Sequence, residues 1–176
     1  MAKQLDLVAL SIAADIVPID DENRVLAHYG LKRLNRSPRP GLRSLIELNA
    51  PNRKLTISDI VFIIAPRINA AGRMNDAKEA VRLLISQEGV KAKKNANNLQ
   101  EQNTARKQID NDITVEAINL LESMPNAHDK KTTVLYQSHW HKGVIGIVAS
   151  RLLEKYYRPT IITVSYTHLT LPTSYA

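Results

Sequence analysis

The sequence contains no cysteine. Disulfides are therefore excluded, and so is any zinc or iron–sulfur centre held by thiolates. It also lacks a long apolar run, and no stretch approaches the length that spans a bilayer. Met1 to Val8 has no apolar core of the kind that opens a secretion signal, and Asp6 interrupts it. These absences suit a cytoplasmic protein with no membrane attachment. Acidic residues are nearly missing between Gly30 and Lys54, where Glu47 stands alone against Lys32, Arg33, Arg36, Arg39, Arg43, Arg53 and Lys54. Finally, Ser165 to Ala176 carries no charge, repeats Thr and Ser, and abandons the preceding pattern. The string Ser-Tyr-Thr-His-Leu-Thr-Leu-Pro-Thr resembles translated sequencing-adaptor read-through. We expect residues 165–176 to be non-native, and His168 is not read as a ligand.

What remains is a globular composition: 176 residues, 44% hydrophobic and 23% charged, with a formal net charge of +7. Its distribution says more than its total. Residues 1–22 carry Asp6, Asp15, Asp20, Asp21 and Glu22 against Lys3, and the basic stretch follows. Acids first and cations afterwards is the order expected when metal ligands precede a polyanion-binding surface. A solvated helix face rich in lysine gives the same charge.

Leu5 to Ala14 is apolar or small almost throughout, as in a buried strand or a helix whose end faces a site. Residues 22–35 have helical spacing through Val25, Leu26, Tyr29, Leu31 and Leu34, and Ser37-Pro38-Arg39-Pro40-Gly41 breaks it. Leu42 to Asn49 reads as helix. Ser58-Asp59 is expected to cap another helix that runs to Ile64 and ends at Pro66. Asn75-Asp76 caps the next, from Ala77 to Ser86. Residues 89–123 place Leu99, Arg106, Ile109, Ile113, Glu116 and Leu120 near heptad positions. The narrow stripe predicts a long, partly exposed connecting helix. Pro125-Asn126 ends it, and His128 to Thr132 reads as a linker. Thr133 to Gln137 and Pro159 to Val164 are strand candidates around a helix from Gly143 to Tyr157, the opening of a separate α/β domain.

Three segments carry chemistry. In Leu5 to Pro18 an apolar run and two alanines lead to Asp15, a carboxylate suited to Mg²⁺ or Mn²⁺, or to a helix cap. Ala65-Pro66-Arg67-Ile68-Asn69-Ala70-Ala71-Gly72-Arg73-Met74 sets two guanidinium groups and a carboxamide among small residues. That composition predicts a loop approaching an anion, because the guanidinium fork matches phosphate oxygens. A buried Arg–carboxylate pair fixing a turn is the alternative. Tyr136 to Leu152 contains His139, Trp140, His141, Gly143, Gly146, Ser150 and Arg151. Its glycines near a helix start let backbone N–H groups approach an anion. Two histidines without a neighbouring acid make a poor metal site. Nucleic-acid contact or packing of Trp140 fits better.

In order and spacing these three segments resemble the RecJ family of bacterial single-strand-specific 5′→3′ exonucleases, within the DHH phosphoesterase superfamily. The resemblance covers residues 5 to 164. It implies an α/β fold in which residues 1–75 are the C-terminal part of a DHH catalytic domain. Residues 76–129 would be connecting helices and linker, and 130–164 the N-terminal part of a DHHA1 domain. It implies that Asp15, in Ala-Asp-Ile-Val-Pro, is a catalytic metal ligand. Two divalent ions, Mn²⁺ or Mg²⁺, would activate water and stabilise the leaving oxygen of a phosphodiester. Arg67, Asn69 and Arg73 would bind substrate, with Arg73 on the 5′-terminal phosphate. His141, Ser150 and Arg151 match the opening DHHA1 motif and would contact the strand. Single-stranded DNA is the implied partner, with a single-strand-binding protein and a RecQ-type helicase, in DNA recombination and repair.

The family's Asp-x-Asp motif, central Asp and Asp-His-His triplet have no counterpart in this sequence and are expected upstream of Met1. The later glycine-rich DHHA1 motifs are expected beyond residue 164. One carboxylate cannot hold two ions, so the chain is expected to be an internal fragment, inactive alone. Two rival functions are a DHH phosphodiesterase acting on short oligonucleotides, cyclic dinucleotides or pyrophosphate, and a non-catalytic single-strand-binding scaffold. The basic track and long helix favour a polymer.

Overall fold

Apolar residues three and four apart decide most of the helices. The computed structural model describes residues 2–126 and 129–165, so the expectations for residues 166–176, His168 included, lie outside the described residues. Two compact units divide the chain, Met1–Ala105 and Arg106–Ala176.

The first unit is all helical. Helices α1 (Leu5–Ala14), α2 (Asp21–Arg36), α3 (Pro40–Asn49) and α6 (Lys78–Ile85) surround a core that includes Ala9, Leu10, Ala13, Leu34, Leu42, Leu45 and Leu83. The segment left open between strand and helix is thus a helix. It crosses α2 at Gly30, where a β-carbon would stand 2.2 Å from the Leu5 carbonyl oxygen and 2.5 Å from the Ala9 Cβ. Only glycine permits that approach.

Two expectations need correction in the next stretch. The N-cap is Thr56 rather than Ser58-Asp59. Its hydroxyl accepts from the Asp59 amide at 3.3 Å, and Asp59 Oδ2 accepts from the Thr56 amide at 2.8 Å. This reciprocal box starts a short α4 (Ile57–Asp59). Pro66 does not end the helix. Ile60–Ile64 widens into π geometry, the Ala65 amide bonds back to the Ile60 carbonyl, and α5 (Ala65–Met74) continues with Pro66 near its start. The π turn shifts the bonding ladder by one residue ahead of the missing proline N–H. The arginine segment is therefore a helix, not a loop. Ala65, Ala70 and Ala71 are buried on its inner side.

Asp76 accepts from the Lys78 amide at 2.9 Å and helps start α6. Helix α7 (Gly89–Ser123) then runs for 35 residues. Its buried positions are Ala92, Ala96, Leu99, Asn103, Asp110, Ile113, Ala117 and Leu121. The heptad stripe is real, with polar residues in its centre, and the division between the two units falls inside this helix.

In the second unit, β1 (Thr133–Tyr136) and β2 (Thr160–Thr163) pair in parallel, Thr133 opposite Thr160 and Tyr136 opposite Thr163. Helix α8 (Ile145–Tyr156) connects them, starting two residues later than expected. Val144, Val148, Leu152 and Leu135 are buried. Among the described residues no helix is long and apolar enough to cross a membrane.

Candidate functional site

Asp15 sits on the last turn of α1, held by the backbone. The Ile16 amide bonds to the Ala13 carbonyl at 3.3 Å and the Val17 amide to the Ile12 carbonyl at 3.0 Å. That is the double bond of a Schellman ending, with Asp15 as C-cap. The following position normally takes glycine, yet here Ile16 adopts φ 52° and is 77% exposed. A branched side chain is strained in that region. The carboxylate of Asp15 is exposed, with the Ser11 hydroxyl 3.5 Å from Oδ2. It lies at the negative end of the helix, where an anion is disfavoured and a cation is drawn in. Asp15 is thus both cap and exposed acid.

On α5 the three predicted substrate residues divide between two sides. Asn69 and Arg73, one turn apart, are exposed, as is Gly72 between them. Arg67 is half-buried: its Nε donates to Gln100 Oε1 at 2.6 Å, and its Nη1 donates to the Ile63 carbonyl. Burial lowers the pKa of this guanidinium. Its partners are an amide and a carbonyl, not the carboxylate of the alternative reading. Because α5 is helical, interior backbone amides are engaged within the helix, and anion binding there falls to side chains. A β-carbon on Gly72 would meet only the Ala77 Cβ, at 3.5 Å, an ordinary contact. Packing within the chain does not require this glycine.

In the second unit, the turn before α8 uses its polar groups internally. His141 Nδ1 accepts from the Gly143 amide at 3.1 Å, and the His141 carbonyl accepts from the Val144 and Ile145 amides. His139 Nε2 lies 3.1 Å from Glu116 Oε2, which also accepts from Trp140 Nε1 at 2.9 Å. The indole bond, with lesser help from His139, holds Glu116 below the usual carboxylate range. Trp140 is buried. Ser150 is exposed and bonds back to the Gly146 carbonyl at 3.1 Å. Arg151 reaches Asp110 Oδ2 at 2.8 Å and Asn111 Oδ1 at 3.2 Å, both on α7.

Among the described residues, no three of His, Asp and Glu converge as metal ligands would. Asp15 offers one carboxylate, whereas hard divalent ions take about six oxygens each. The residues present do not fit a two-ion centre by themselves.

An acid-capped helix, an arginine-bearing helix packed against it, a long helix and a parallel β-α-β unit make a helix-rich α/β arrangement, consistent with the C-terminal part of a DHH domain and the start of DHHA1. No family model matches the chain. The single-stranded-DNA-specific exonuclease RecJ of Dickeya dadantii is 41% identical over 165 residues, 92% of this chain and 29% of the relative. Crystal structures of RecJ from Thermus thermophilus, one with Mn²⁺ and one with Mg²⁺, superpose with a TM-score of 0.81 at 34% identity. They cover 93% of this chain, which spans 24% and 25% of theirs. Over nearly its whole length the chain is thus similar to RecJ, and it spans under a third of the length of these relatives.

Sequence reasoning missed Gln100 behind Arg67 and Asp110 behind Arg151, 33 and 41 residues away. Gln100 leaves no signal at that distance. Asp110 does: it is an acid inside the apolar stripe of α7.

Proposed function

We propose that this chain is part of a metal-dependent exonuclease that degrades single-stranded DNA from its 5′ end in recombination and repair. Because the chain spans 29% of its Dickeya relative, hydrolysis is assigned to the whole protein. In this reading residues 1–75 close the DHH domain, 76–129 connect, and 130–164 open DHHA1.

The observation that carries the reading is the exposed Asn69–Gly72–Arg73 face of α5, on a helix packed against α1. Arg73 offers its guanidinium to the 5′-terminal phosphate, and Asn69 offers an amide one turn earlier. A helix-interior glycine costs about 0.5–1 kcal/mol relative to alanine. Here it leaves room for a ligand rather than for a packed neighbour. Arg67 stiffens the helix from behind through Gln100. Asp15 contributes one acidic ligand to a divalent-ion site whose other ligands the described residues do not supply. His141 in the turn before α8 and Ser150 and Arg151 in the middle of α8 contact the strand, and Ser150 and part of Arg151 are exposed. Cytoplasmic work beside a single-strand-binding protein and a RecQ-type helicase belongs to the same proposal and rests on the family resemblance alone.

The test compares 5′-phosphorylated and 5′-hydroxyl oligonucleotides by fluorescence anisotropy. Arg73→Ala should remove the preference for the phosphorylated end, about tenfold for one charge-assisted pair. Equal loss on both substrates would overturn the clamp. In a chimera carrying residues 1–164 in place of the matching part of a full-length relative, Asp15→Ala should abolish Mn²⁺-dependent hydrolysis while DNA binding survives. Retained hydrolysis would remove Asp15 from the site.

A further inference from the structure

The basic residues of α2 and of the segment before α4 converge on one surface that the α5 reading leaves unused. A cleft of about 460 Å³ is lined by His28, Leu31, Lys32, Asn35, Arg36 and Lys54. Arg36 and Lys54 also line an adjoining cleft of about 510 Å³, and Lys32 and Arg36 line a third beside Tyr29. The clefts therefore form one groove around Arg36. His28, Lys32 and Arg36 lie four residues apart on one helix ridge, about 6 Å apart along the axis.

Lys54 is brought in from 18 residues further along by a specific clamp. Asn35 Oδ1 accepts from the Leu55 amide at 2.7 Å, and Asn35 Nδ2 donates to the Leu55 and Leu31 carbonyls at 3.0 Å. Leu55 is buried, so its neighbour Lys54 is held against the ridge. His28, Lys32, Arg36 and Lys54 are all exposed, and none forms an ion pair among the described residues. The nearby Arg53 is different, being paired with Asp59. One acid, Glu47, lines the adjoining cleft, and none lines the first. Tyr29 is 53% exposed, with the His28 ring edge-on at 5.2 Å and 90°.

Lys32, Arg36 and Lys54, unpaired and side by side, repel one another, and a polyanion relieves that repulsion. A compact anion would meet one rung, whereas an extended backbone meets all of them. Single strands are held by this pairing of a cationic groove with an exposed aromatic ring. We propose that the α2 groove is a second, end-independent contact for single-stranded nucleic acid. His28, Lys32, Arg36 and Lys54 take backbone phosphates, and Tyr29 stacks on a base. It shares no residue with α5, and it rests on the proposed function only in taking the ligand to be a single strand.

A fluorescent circular oligothymidylate separates the two sites, because a circle has no end for Arg73. The wild-type chain should bind it. The Lys32→Gln/Arg36→Gln/Lys54→Gln variant should bind at least tenfold more weakly near 0.1 M salt. Its slope of log affinity against log salt should fall by about 2, from roughly 0.7 per phosphate contact. Each single substitution should remove about 0.7, which keeps the test intact if the triple variant misfolds. Tyr29→Ala should cost about fivefold or more. Absence of wild-type binding, or an unchanged affinity and slope in the variants, would overturn the groove. So would tighter binding of an acidic peptide that displaces the circle. Wild-type binding of the circle without any preference for a 5′-phosphorylated over a 5′-hydroxyl linear strand would instead count against the α5 clamp alone.

Discussion

Arg39 closes on Asp6 with one edge of its guanidinium, Nε donating to Oδ2 at 3.0 Å and Nη2 to Oδ1 at 2.8 Å. Asp6 is fully buried near the start of α1, and Arg39 precedes the first residue of α3. The same guanidinium reaches Gln4 Oε1 at 2.8 Å and the Leu84 carbonyl at 3.3 Å. One side chain thus ties α1, α3 and α6 together.

Burial pushes the Asp6 carboxyl up, but the bonds and charge of Arg39, with the Leu7 amide, outweigh it and hold it below the ordinary value. A depressed folded pKa stabilises the fold above the unfolded value, about 3.9 for Asp. That stabilisation is lost as pH falls through the lower folded value. Asp6→Asn should cost about 3–5 kcal/mol at pH 7, because it leaves a largely buried arginine without its anion. Urea titrations from pH 7 to pH 2 should show the gap between wild type and variant closing on the acid side. A gap independent of pH would remove the ion pair from the account.

Helices α2, α3 and α7 were legible in the sequence because each has apolar residues every third or fourth position and a polar remainder. The β-α-β unit was legible from its branched strand residues. Helix α5 was not: arginine, asparagine, glycine and alanine give no apolar stripe, and Pro66 suggests a stop. Its helical state depends on burying Ala65, Ala70 and Ala71 and on the π turn ahead of the proline, both consequences of tertiary packing. At the candidate site, family resemblance supplied Asp15, Arg67 and Arg73. The division of labour on α5 appears only in three dimensions, because Gln100 lies on another helix.

That division predicts different outcomes for two arginines six positions apart in one motif. Arg67→Ala leaves the Gln100 amide and the Ile63 carbonyl without their donor and should destabilise the first unit by about 1–3 kcal/mol. Arg73→Ala should cost less in thermal unfolding and more in end recognition. If Arg67→Ala unfolds at the wild-type midpoint, its buried bonds contribute nothing to the helix.

Arg151 makes the corresponding case in the second unit. Asp110 is 1% exposed, its Oδ2 takes Arg151 at 2.8 Å, and Arg106 stands 3.7 Å away. Arg151→Ala strands most of that buried charge and should cost about 3 kcal/mol. Adding Asp110→Ala should recover part of the loss. Recovery in urea unfolding marks a positioning role for Arg151 in α8. Simple addition of the two losses would free Arg151 to be read as a strand contact only.

Gly30 and Gly72 face opposite demands, and the same substitution should separate them. At Gly30 a methyl group collides with the Leu5 backbone at 2.2 Å, which a flexible side chain cannot relieve. Gly30→Ala should therefore lose about 1–3 kcal/mol through forced separation of α1 and α2. At Gly72 the methyl group finds ordinary contact with Ala77 at 3.5 Å. Gly72→Ala should stabilise the chain by about 0.5–1 kcal/mol, the helix-propensity gain. If Arg73 holds the 5′-terminal phosphate as proposed, the same methyl group would intrude on the space beside it. Gly72→Ala should thus raise the unfolding midpoint while weakening binding of 5′-phosphorylated single strands. Stabilisation with undiminished end binding would show that the glycine leaves no room the ligand uses, and the close approach of DNA to α5 would have to be abandoned.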